Sequence, residues 1–381
     1  MKILFINRMM GVAWGGGENY DYHLARGLER RGHQVVVLTG RSDRSAVPPP
    51  AGLECISIET PYLRKHMYNL AGKVPILPGL FAEADLRIFM ERTKQTILRL
   101  IRERDIDVVQ ILALPYLASW ITRHSPAAMR FPGPPAWFQS GMLQHLGKNR
   151  RFKMFTHGDA VRYFADRLQT PVREIPPGIN REIFRRPTSS EKSQARAEMG
   201  LGSDDFVLAT VGRLIAGKGH EFLIRALGRG SDPRIKLVVV GGGPLQPQFE
   251  SLAAQAGLAD RILFRGHADP AGVSRSLWAA DAFCLLSSYE NYSNAALEGM
   301  ATGLPVIASS VGGFVQQIVE GENGHLIAYN DDEKLLMRVH ELLAKPDRLL
   351  AMASKAEQFA TRFSWDAAAG QVEELYAELT S

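Results

Sequence analysis

The sequence predicts an α/β protein with two doubly wound, Rossmann-like parallel-sheet domains. The chain has 381 residues, of which 45% are hydrophobic and 22% charged, so it is long enough to bury two cores. Short apolar runs alternate with amphipathic helical segments from the N-terminus, and this alternation restarts near residue 206. Such an order is typical of parallel sheets that carry helices on both faces.

In the first domain we predict a strand at residues 2–6, then a glycine-rich loop and an amphipathic helix at about 18–31. The proline-rich segments 48–50 and 126–135 are predicted to be loops, because proline interrupts regular structure. Further strands of the same sheet are predicted at residues 34–39, 108–111 and 154–156.

The domain boundary is predicted at the proline-rich turn of residues 175–180, so that the domains span residues 1–178 and 179–362. A C-terminal helix within residues 363–381 is expected to pack back on the first domain through Trp365 and Tyr376. In the second domain we predict strands at residues 206–211, 236–240, 262–264 and 282–286, and helices at 220–227, 246–256, 272–280 and from Asn294 onward.

The composition argues against several classes of protein. The apolar N-terminal run is too short for a secretory leader before Asn7 and Arg8 interrupt it, and no apolar run approaches the length of a membrane span. The two cysteines, Cys55 and Cys284, are too few for a disulfide framework or a cysteine-based zinc site. We therefore expect a cytoplasmic protein.

The charge balance indicates an anionic partner. The net charge is +5, and this excess is small enough that nucleic acid is not expected. Basic side chains cluster in a predicted helix at residues 85–104 and again at residues 148–153. Either cluster can rest on anionic lipid headgroups, which would place the protein at the inner face of the membrane; a solvated helix face is the alternative.

Two glutamates, Glu290 and Glu298, bracket a loop that leads from a buried strand into a helix beginning at Asn294. Backbone N–H groups at a helix N-terminus favour anions, and carboxylates are good acceptors for vicinal hydroxyls. This segment is therefore predicted to hold a phosphate and a sugar together.

A second candidate site follows the first strand of the second domain. Its glycine-rich loop carries Arg213 and Lys218, which can neutralise a diphosphate leaving group without a metal ion. The loop is not a P-loop, because Gly219 stands where Ser or Thr would be needed. The neighbouring strand ends, with glycines at 241–243 and Gly266, are weaker candidates to line the same site, Gly266 near a nucleobase.

A third candidate is the glycine run Gly15, Gly16 and Gly17, just before the first helix, where the backbone can approach a diphosphate closely. A dinucleotide-binding loop fails on spacing, because the third glycine of that motif would fall on Tyr20. A plain flexible loop is the alternative.

Together these motifs resemble the retaining glycosyltransferases of family 4, which have the GT-B fold. The resemblance covers nearly the whole chain and is strongest at residues 205–330. It implies that Arg213 and Lys218 bind the donor diphosphate, Glu298 binds the ribose hydroxyls and Glu290 contacts the transferred hexose. It further implies that the phosphates and sugar meet backbone groups of Tyr292, Ser293, Asn294 and Ala295.

The sequence departs from this family in one respect. Family members often carry a histidine after a central strand of the first domain, whereas this chain has Pro132 near that place. The nearby histidines are His124, His145 and His157. The Thr156 and Asp159 that flank His157 have capping-box spacing, which favours a helix start over a catalytic role.

The resemblance implies metal-independent, cofactor-free transfer of a hexose from a nucleotide sugar to a glycan. UDP-sugars and then GDP-mannose are the leading donors, and lipopolysaccharide or another lipid-linked glycan is the leading acceptor. A soluble small-molecule acceptor and a nucleotide-sugar 2-epimerase are the alternatives. A weaker alternative is a glycoside hydrolase that uses Glu290 and Glu298. Another is a metal-dependent transferase with a metal site at Asp105 and Asp107, but the position of these residues favours a helix-to-strand junction.

Overall fold

The computed structural model describes residues 1–12, 15–41, 51–60, 77–134, 139–230 and 232–381, with side chains from residue 84 onward in the helix that begins at Leu77. The chain divides into two compact units, Met1–Gly178 with Trp365–Ser381, and Ile179–Ser364. Each unit is built on one parallel sheet, of seven and six strands respectively. The predicted fold class is therefore confirmed. The predicted loop at residues 48–50 lies outside the described residues.

The first sheet comprises β1 (Lys2–Ile6), β2 (Gln34–Arg41), β3 (Glu54–Glu59), β4 (Val108–Leu112), β5 (Ala127–Arg130), β6 (Phe152–Thr156) and β7 (Arg173–Glu174). Its strand order is β3-β2-β1-β4-β5-β6-β7. The helices that accompany it are α1 (Gly16–Arg30), α2 (Leu77–Glu103), α3 (Pro115–Ile121), α4 (Ser140–Gly147) and α5 (Asp159–Arg162), the last continued by a π-helical segment, Tyr163–Leu168.

The second sheet comprises β8 (Phe206–Val211), β9 (Ile235–Val240), β10 (Ile262–Phe264), β11 (Ala282–Leu285), β12 (Val306–Ser309) and β13 (Gly324–Ile327), in the order β10-β9-β8-β11-β12-β13. Its helices are α6 (Ser189–Glu198), α7 (His220–Arg229), α8 (Gln246–Gln255), α9 (Pro270–Trp278), α10 (Asn294–Ala301), α11 (Phe314–Gln317), α12 (Asp332–Ala344) and α13 (Pro346–Ala360).

The strands form where they do because both of their faces are apolar. In β8, Val207 and Ala209 pack into the core on one face of the second sheet, whereas Phe206 and Leu208 pack into the core on the other. A strand covered by helices on both faces reads as a continuous apolar run rather than an alternating one. This explains why the sequence pattern located β8, β9, β10 and β11 well, although it did not predict β12 and β13.

The last helix, α14 (Trp365–Thr380), belongs to the first unit and packs on α1. The Trp365 ring meets the Tyr20 ring edge-on, with 5.2 Å between centroids. The Tyr376 hydroxyl donates a hydrogen bond of 2.9 Å to Oε1 of Gln110 in β4. The helix thus covers part of one face of the first sheet.

The predicted loop at residues 126–135 is wrong for its first half. Residues Ala127–Arg130 form β5, which pairs with β4 on one side and β6 on the other. All four residues are buried, so sheet pairing and burial outweigh the prolines that flank them. Pro135, at the end of this segment, lies outside the described residues.

Among the helices of the described residues, none combines the length and the apolar character needed to cross a membrane.

Candidate active site

The site lies where the second sheet reverses its strand order. Strands β8 and β11 are neighbours at this point, and the chain continues from them toward opposite edges of the sheet. In open α/β sheets, ligands bind at the carboxyl edge beside such a switch point. The loops after these two strands meet there, because the Ser288 backbone N–H donates a 2.8 Å hydrogen bond to the Gly217 carbonyl.

Glycines allow the loops at this edge to touch through their backbones. A Cβ built on Gly219 would lie 2.0 Å from the Leu286 carbonyl oxygen, and one on Gly312 would lie 1.9 Å from the Glu290 carbonyl oxygen. On the other side of β8, a Cβ on Gly241 would lie 1.9 Å from the Gly212 carbonyl oxygen. All three glycines have positive φ. The loops after β9, β8, β11 and β12 are thus packed into one continuous surface.

Lys218 and Glu290, predicted to contact the diphosphate and the hexose, form an ion pair with each other. The Ser287 hydroxyl donates to the same carboxylate oxygen at 3.1 Å. The side chains are 25% and 13% exposed, so the pair is recessed but reachable. The two predicted roles are therefore coupled, because an anion that attracts Lys218 competes with Glu290 for it.

Arg213, on the same loop as Lys218, differs from it in having an exposed side chain. Over the described residues, its guanidinium makes no hydrogen bond or ion pair. An exposed and uncommitted guanidinium can bind a phosphate through paired hydrogen bonds without breaking an existing contact. This loop therefore carries one cation that is already ion-paired, Lys218, and one that has no ion-pair partner among the described residues, Arg213.

The N-terminus of α10 presents backbone donors at the same edge. Ser293 caps the helix by accepting a 3.2 Å hydrogen bond from the Ala296 N–H. The N–H groups of Asn294 and Ala295 have no acceptor within the described residues, as expected for a first helical turn. The Tyr292 ring turns toward the core, with its centroid 6.1 Å from that of Phe363.

Sequence reasoning missed Gln317, which fixes this helix terminus. Its buried side chain accepts a hydrogen bond from the Ser293 N–H at 3.0 Å and donates one to the Ser293 carbonyl at 2.9 Å. Asn323 in turn donates to the Gln317 carbonyl at 3.0 Å. No motif marks Gln317, because its role depends on a contact that spans 24 residues along the chain.

Glu298 lies one helical turn after Asn294, on the same face of α10. Its side chain is half-buried, and burial raises the pKa of its carboxyl to about 8. Near neutral pH, a protonated carboxyl can both donate and accept hydrogen bonds, which suits vicinal hydroxyls. Its place beside the helix terminus is compatible with its predicted role toward a ribose.

Gly266 follows β10, two strands away from the switch point. Its carbonyl accepts a 2.8 Å hydrogen bond from the Gly241 N–H, so its loop joins the same edge through the loop after β9. A Cβ on Gly266 would meet no atom within 4 Å. This position is therefore at the periphery of the site.

In the first unit, the glycine run lies closer to the helix than predicted. Gly15 is the N-cap of α1, whereas Gly16 and Gly17 already belong to its first turn. The Arg130 side chain, fully buried at the end of β5, donates to the Gly17 carbonyl and to the Asp21 carboxylate, both at 2.7 Å. Sequence reasoning missed this anchor, whose only signal is a lone arginine in an apolar run.

The structure places the three candidate histidines, His124, His145 and His157, in different surroundings. His157 is buried and stacked on Tyr20 at 5.4 Å, and burial lowers its pKa to about 3. A helix does begin after it, but the predicted capping box is wrong. The N-cap of α5 is Gly158, and the Thr156 hydroxyl instead donates to the Phe131 carbonyl at 2.7 Å. His124 packs on Trp120, and His145 is exposed on α4.

Asp105 and Asp107 lie at the helix-to-strand junction that their sequence position favoured. They fall between the end of α2 and the start of β4, and Asp107 accepts a 2.8 Å hydrogen bond from the Lys2 N–H. This is the amino edge of the first sheet. Within the described ranges, no group of three histidine, cysteine or acidic residues is placed to hold a metal ion.

The two basic clusters differ in their internal contacts. In the 85–104 cluster, Arg92 donates to the Glu59 carbonyl at 2.8 Å, and Lys94 and Arg104 pair with Glu91 and Glu54 at 2.6 and 2.8 Å. In the 148–153 cluster, the exposed side chains Lys148, Arg150 and Arg151 have no such partner among the described residues. The second cluster is therefore the freer of the two.

The fold and the sequence comparisons define the class of protein. Two doubly wound parallel-sheet units in one chain are the architecture of GT-B glycosyltransferases. The family described as "Glycosyltransferase Family 4" matches residues 14–183, and "Glycosyl transferases group 1" matches residues 191–359. The D-inositol 3-phosphate glycosyltransferase of Xylanimonas cellulosilytica is 30% identical over 97% of this chain and 93% of its own length. The chain belongs to glycosyltransferase family 4, as its motifs indicated.

Other comparisons agree with this assignment. The protein of the same name from Segniliparus rotundus is 33% identical over 56% of this chain, an alignment that spans about half (48%) of that relative. A sucrose-phosphate synthase from Thermosynechococcus elongatus superimposes with a TM-score of 0.82 at 21% identity, covering 99% of this chain and 98% of that one. HepE from Anabaena, in complex with UDP and glucose, gives a TM-score of 0.75 at 20% identity, covering 99% of both chains. At these identities the two structures show the fold alone.

Proposed function

We propose that this protein is a retaining glycosyltransferase that moves a hexose from a nucleotide-diphosphate sugar to an acceptor hydroxyl. The observation that carries the proposal is the Lys218–Glu290 ion pair, which lies at the switch point of the second sheet. It places a cation and a hydroxyl-binding carboxylate together on the loops that flank that point.

The donor is assigned to the second unit. Arg213 and Lys218 would neutralise the diphosphate, and the N–H groups of Asn294 and Ala295 would add hydrogen bonds to it. Glu298 would bind the ribose hydroxyls, and Glu290 the hexose. For Gly15, Gly16 and Gly17 of the first unit, a backbone contact with a diphosphate stays a prediction.

The reaction follows from these roles. The bond from the anomeric carbon to the β-phosphate oxygen breaks, and its electron pair leaves with the phosphate. The acceptor oxygen forms its bond on the same face of the sugar, and its proton passes to the departing phosphate oxygen. Arg213 and Lys218 stabilise the negative charge that grows on the phosphate, so the protein acts by positioning and charge stabilisation. Two cations in this role make a metal ion unnecessary, and we expect full activity in EDTA.

UDP-sugars are the first donors to test, because HepE was solved with UDP and glucose. A thermal-shift screen with UDP, GDP and ADP sugars tests the assignment. A donor at 100-fold over its dissociation constant should add about 2.7 kcal/mol to the unfolding free energy. The Arg213→Ala variant should lose this stabilisation. A screen in which no nucleotide sugar stabilises the protein would contradict the proposal.

Two classes of acceptor are supported. The curated relatives named for D-inositol 3-phosphate favour a small phosphorylated acceptor. A lipid-linked glycan, such as a lipopolysaccharide precursor at the membrane surface, fits the free basic side chains at residues 148–153. Transfer of labelled hexose to each acceptor class separates them. Isomerised nucleotide sugar formed without any acceptor would instead indicate an epimerase.

A further inference from the structure

A groove of about 720 Å³ opens on the first unit, away from the carboxyl edge of its sheet. The segment before β6 forms one wall and the segment before β7 another, so the groove lies at the amino edge. Side chains of α14 close its third side. Since the glycine run follows β1 at the carboxyl edge, the groove lies at the opposite edge of the first sheet from that run.

The groove is strongly cationic. Four cationic side chains line it, against one carboxylate, that of Glu378; the four are Lys148, Arg150, Lys153 and Arg173. Glu378 pairs with Arg173 and, at 3.3 Å, with Lys153, and the hydrogen bond from Arg173 lowers the pKa of the Glu378 carboxyl. The charges of Lys148 and Arg150 have no counterpart among the described residues. The lining therefore carries an excess of positive charge.

The groove is also held in shape by its backbone. The turn before β6 is closed by a hydrogen bond from the Asn149 N–H to the Leu146 carbonyl at 2.9 Å, and by one from the Arg151 N–H to Oδ1 of Asn149 at 2.9 Å. The buried side chains of Phe152 and Met154 also line the groove. A preformed wall of this kind reduces the entropy that binding costs.

We propose that this groove binds a ligand with two or more phosphate groups. Arginine and lysine are the residues that recognise phosphate, and the volume lies in the range of small-molecule sites. Because Glu378 already orients Lys153 and Arg173, an incoming ligand first meets Lys148 and Arg150. The concave shape favours a discrete phosphorylated group over a flat charged surface. That group belongs to a soluble polyphosphorylated compound or to the headgroup of an anionic lipid.

Inorganic tripolyphosphate is a suitable probe, titrated calorimetrically into the full chain. The variant Lys148→Ala/Arg150→Ala should bind it about a hundredfold more weakly, because two charged hydrogen bonds are lost and each is worth about a factor of ten. The matched control Arg123→Ala/Lys355→Ala removes one exposed arginine and one exposed lysine elsewhere and should bind as the parent does. The Arg213→Ala variant separates this groove from the donor site and should retain groove binding.

Co-sedimentation with vesicles of phosphatidylcholine and cardiolipin, a lipid whose headgroup carries two phosphates, distinguishes the two sources. Vesicle binding that the Lys148→Ala/Arg150→Ala variant loses, and that tripolyphosphate displaces, identifies a lipid headgroup. Tripolyphosphate binding that this variant loses, with no vesicle binding by the parent, identifies a soluble ligand. The proposal is overturned if the variant and the control bind tripolyphosphate equally, or if only Arg213→Ala weakens its binding.

Discussion

At the scale of single residues, the ion pair of Lys218 and Glu290 couples two roles that the sequence suggested were separate. Sequence spacing identified both side chains, because each follows a strand at the carboxyl edge. It did not reveal their contact, which joins residues 72 positions apart. We expect donor binding to redistribute this pair, with the diphosphate replacing Glu290 as the partner of Lys218.

This coupling predicts non-additive mutations. Lys218→Ala should raise the KM for the donor, and Glu290→Gln should lower kcat; each should reduce kcat/KM by about 10²-fold to 10³-fold, the usual effect of removing one charge-stabilising group. In the double variant, the fold-reduction in kcat/KM should be smaller than the product of the two single reductions, because each single change already breaks the ion pair. Steady-state kinetics provide the measurement, with Lys355→Ala as a control. Strictly multiplicative losses would argue against a shared role.

Glu298 predicts a pH dependence of stability. Burial raises its pKa to about 8 in the folded protein, from 4.5 for the free group. Between these values the folded state keeps a proton that the unfolded state releases, so this group makes stability fall as pH rises, by up to about 1.4 kcal/mol per pH unit. Glu298→Gln should remove that contribution. Urea unfolding at pH 5 and pH 8 tests it against the exposed control Glu250→Gln. If the unfolding free energy changed equally between pH 5 and pH 8 in the parent and in Glu298→Gln, the assignment would be contradicted.

At the scale of elements, the N-terminus of α10 depends on a side chain from another helix. Gln317, the last residue of α11, holds both the N–H and the carbonyl of Ser293. The sequence predicted where α10 begins, from its apolar pattern and the following glycine and proline. It did not predict what holds that terminus in place, since this requires the fold to bring α11 beside it.

Gln317→Ala should therefore weaken the site. The buried Ser293 N–H would lose its acceptor, at a cost of about 1–3 kcal/mol in unfolding free energy, whereas the Ser293 carbonyl would keep its hydrogen bond from the Leu297 N–H. The dissociation constant of the donor should rise as well, because the first turn of α10 would lose its anchor. Gln316→Ala is the matched control, since the neighbouring glutamine makes no side-chain hydrogen bond within the described residues. Chemical unfolding and donor titration compare the two variants. Equal effects of Gln317→Ala and Gln316→Ala would show that the Gln317 side chain does not stabilise the N-terminus of α10.

The contacts between loops predict a second difference between matched residues. Gly312 and Gly257 both have positive φ, but an added Cβ would lie 1.9 Å from a backbone oxygen only at Gly312. Gly257→Ala should cost about 1–2 kcal/mol from its backbone conformation alone. Gly312→Ala should cost clearly more and should also reduce donor affinity, because the loops after β11 and β12 must separate. Thermal unfolding with and without nucleotide measures both effects. Equal losses in the two variants would mean that the loops are not tightly packed.

The strand β5 shows where the prediction of elements failed. Its four residues lie between prolines at 126 and 132, and proline is an unfavourable signal for a strand. Both prolines lie just outside the paired residues, so neither removes a hydrogen bond within the strand. The central position of β5 in the sheet decided its conformation. Only tertiary pairing contains that information.

At the scale of the whole molecule, the two sheets share one strand order over their central strands. Each first strand, β1 or β8, lies beside the fourth strand of its unit, so that both sheets have a switch point. The repeated alternation of apolar runs and helices was enough to predict two doubly wound sheets, but not which strands are neighbours. The donor site could be predicted in outline because its loops follow those strands directly. Its supporting side chains, Arg130 and Gln317, could not, since they act across long separations in sequence.

The return of α14 to the first unit has a consequence for how the chain folds during translation. Residues Ile179–Ser364 leave the ribosome before the helix that covers one face of the first sheet. Until then, apolar side chains such as Phe5, Val37 and Phe155 lack part of their cover. We expect the second unit to reach its native structure first, although its residues are made later than most of the first unit. A released chain truncated after residue 364 would then be protease-resistant in its second unit and sensitive in its first.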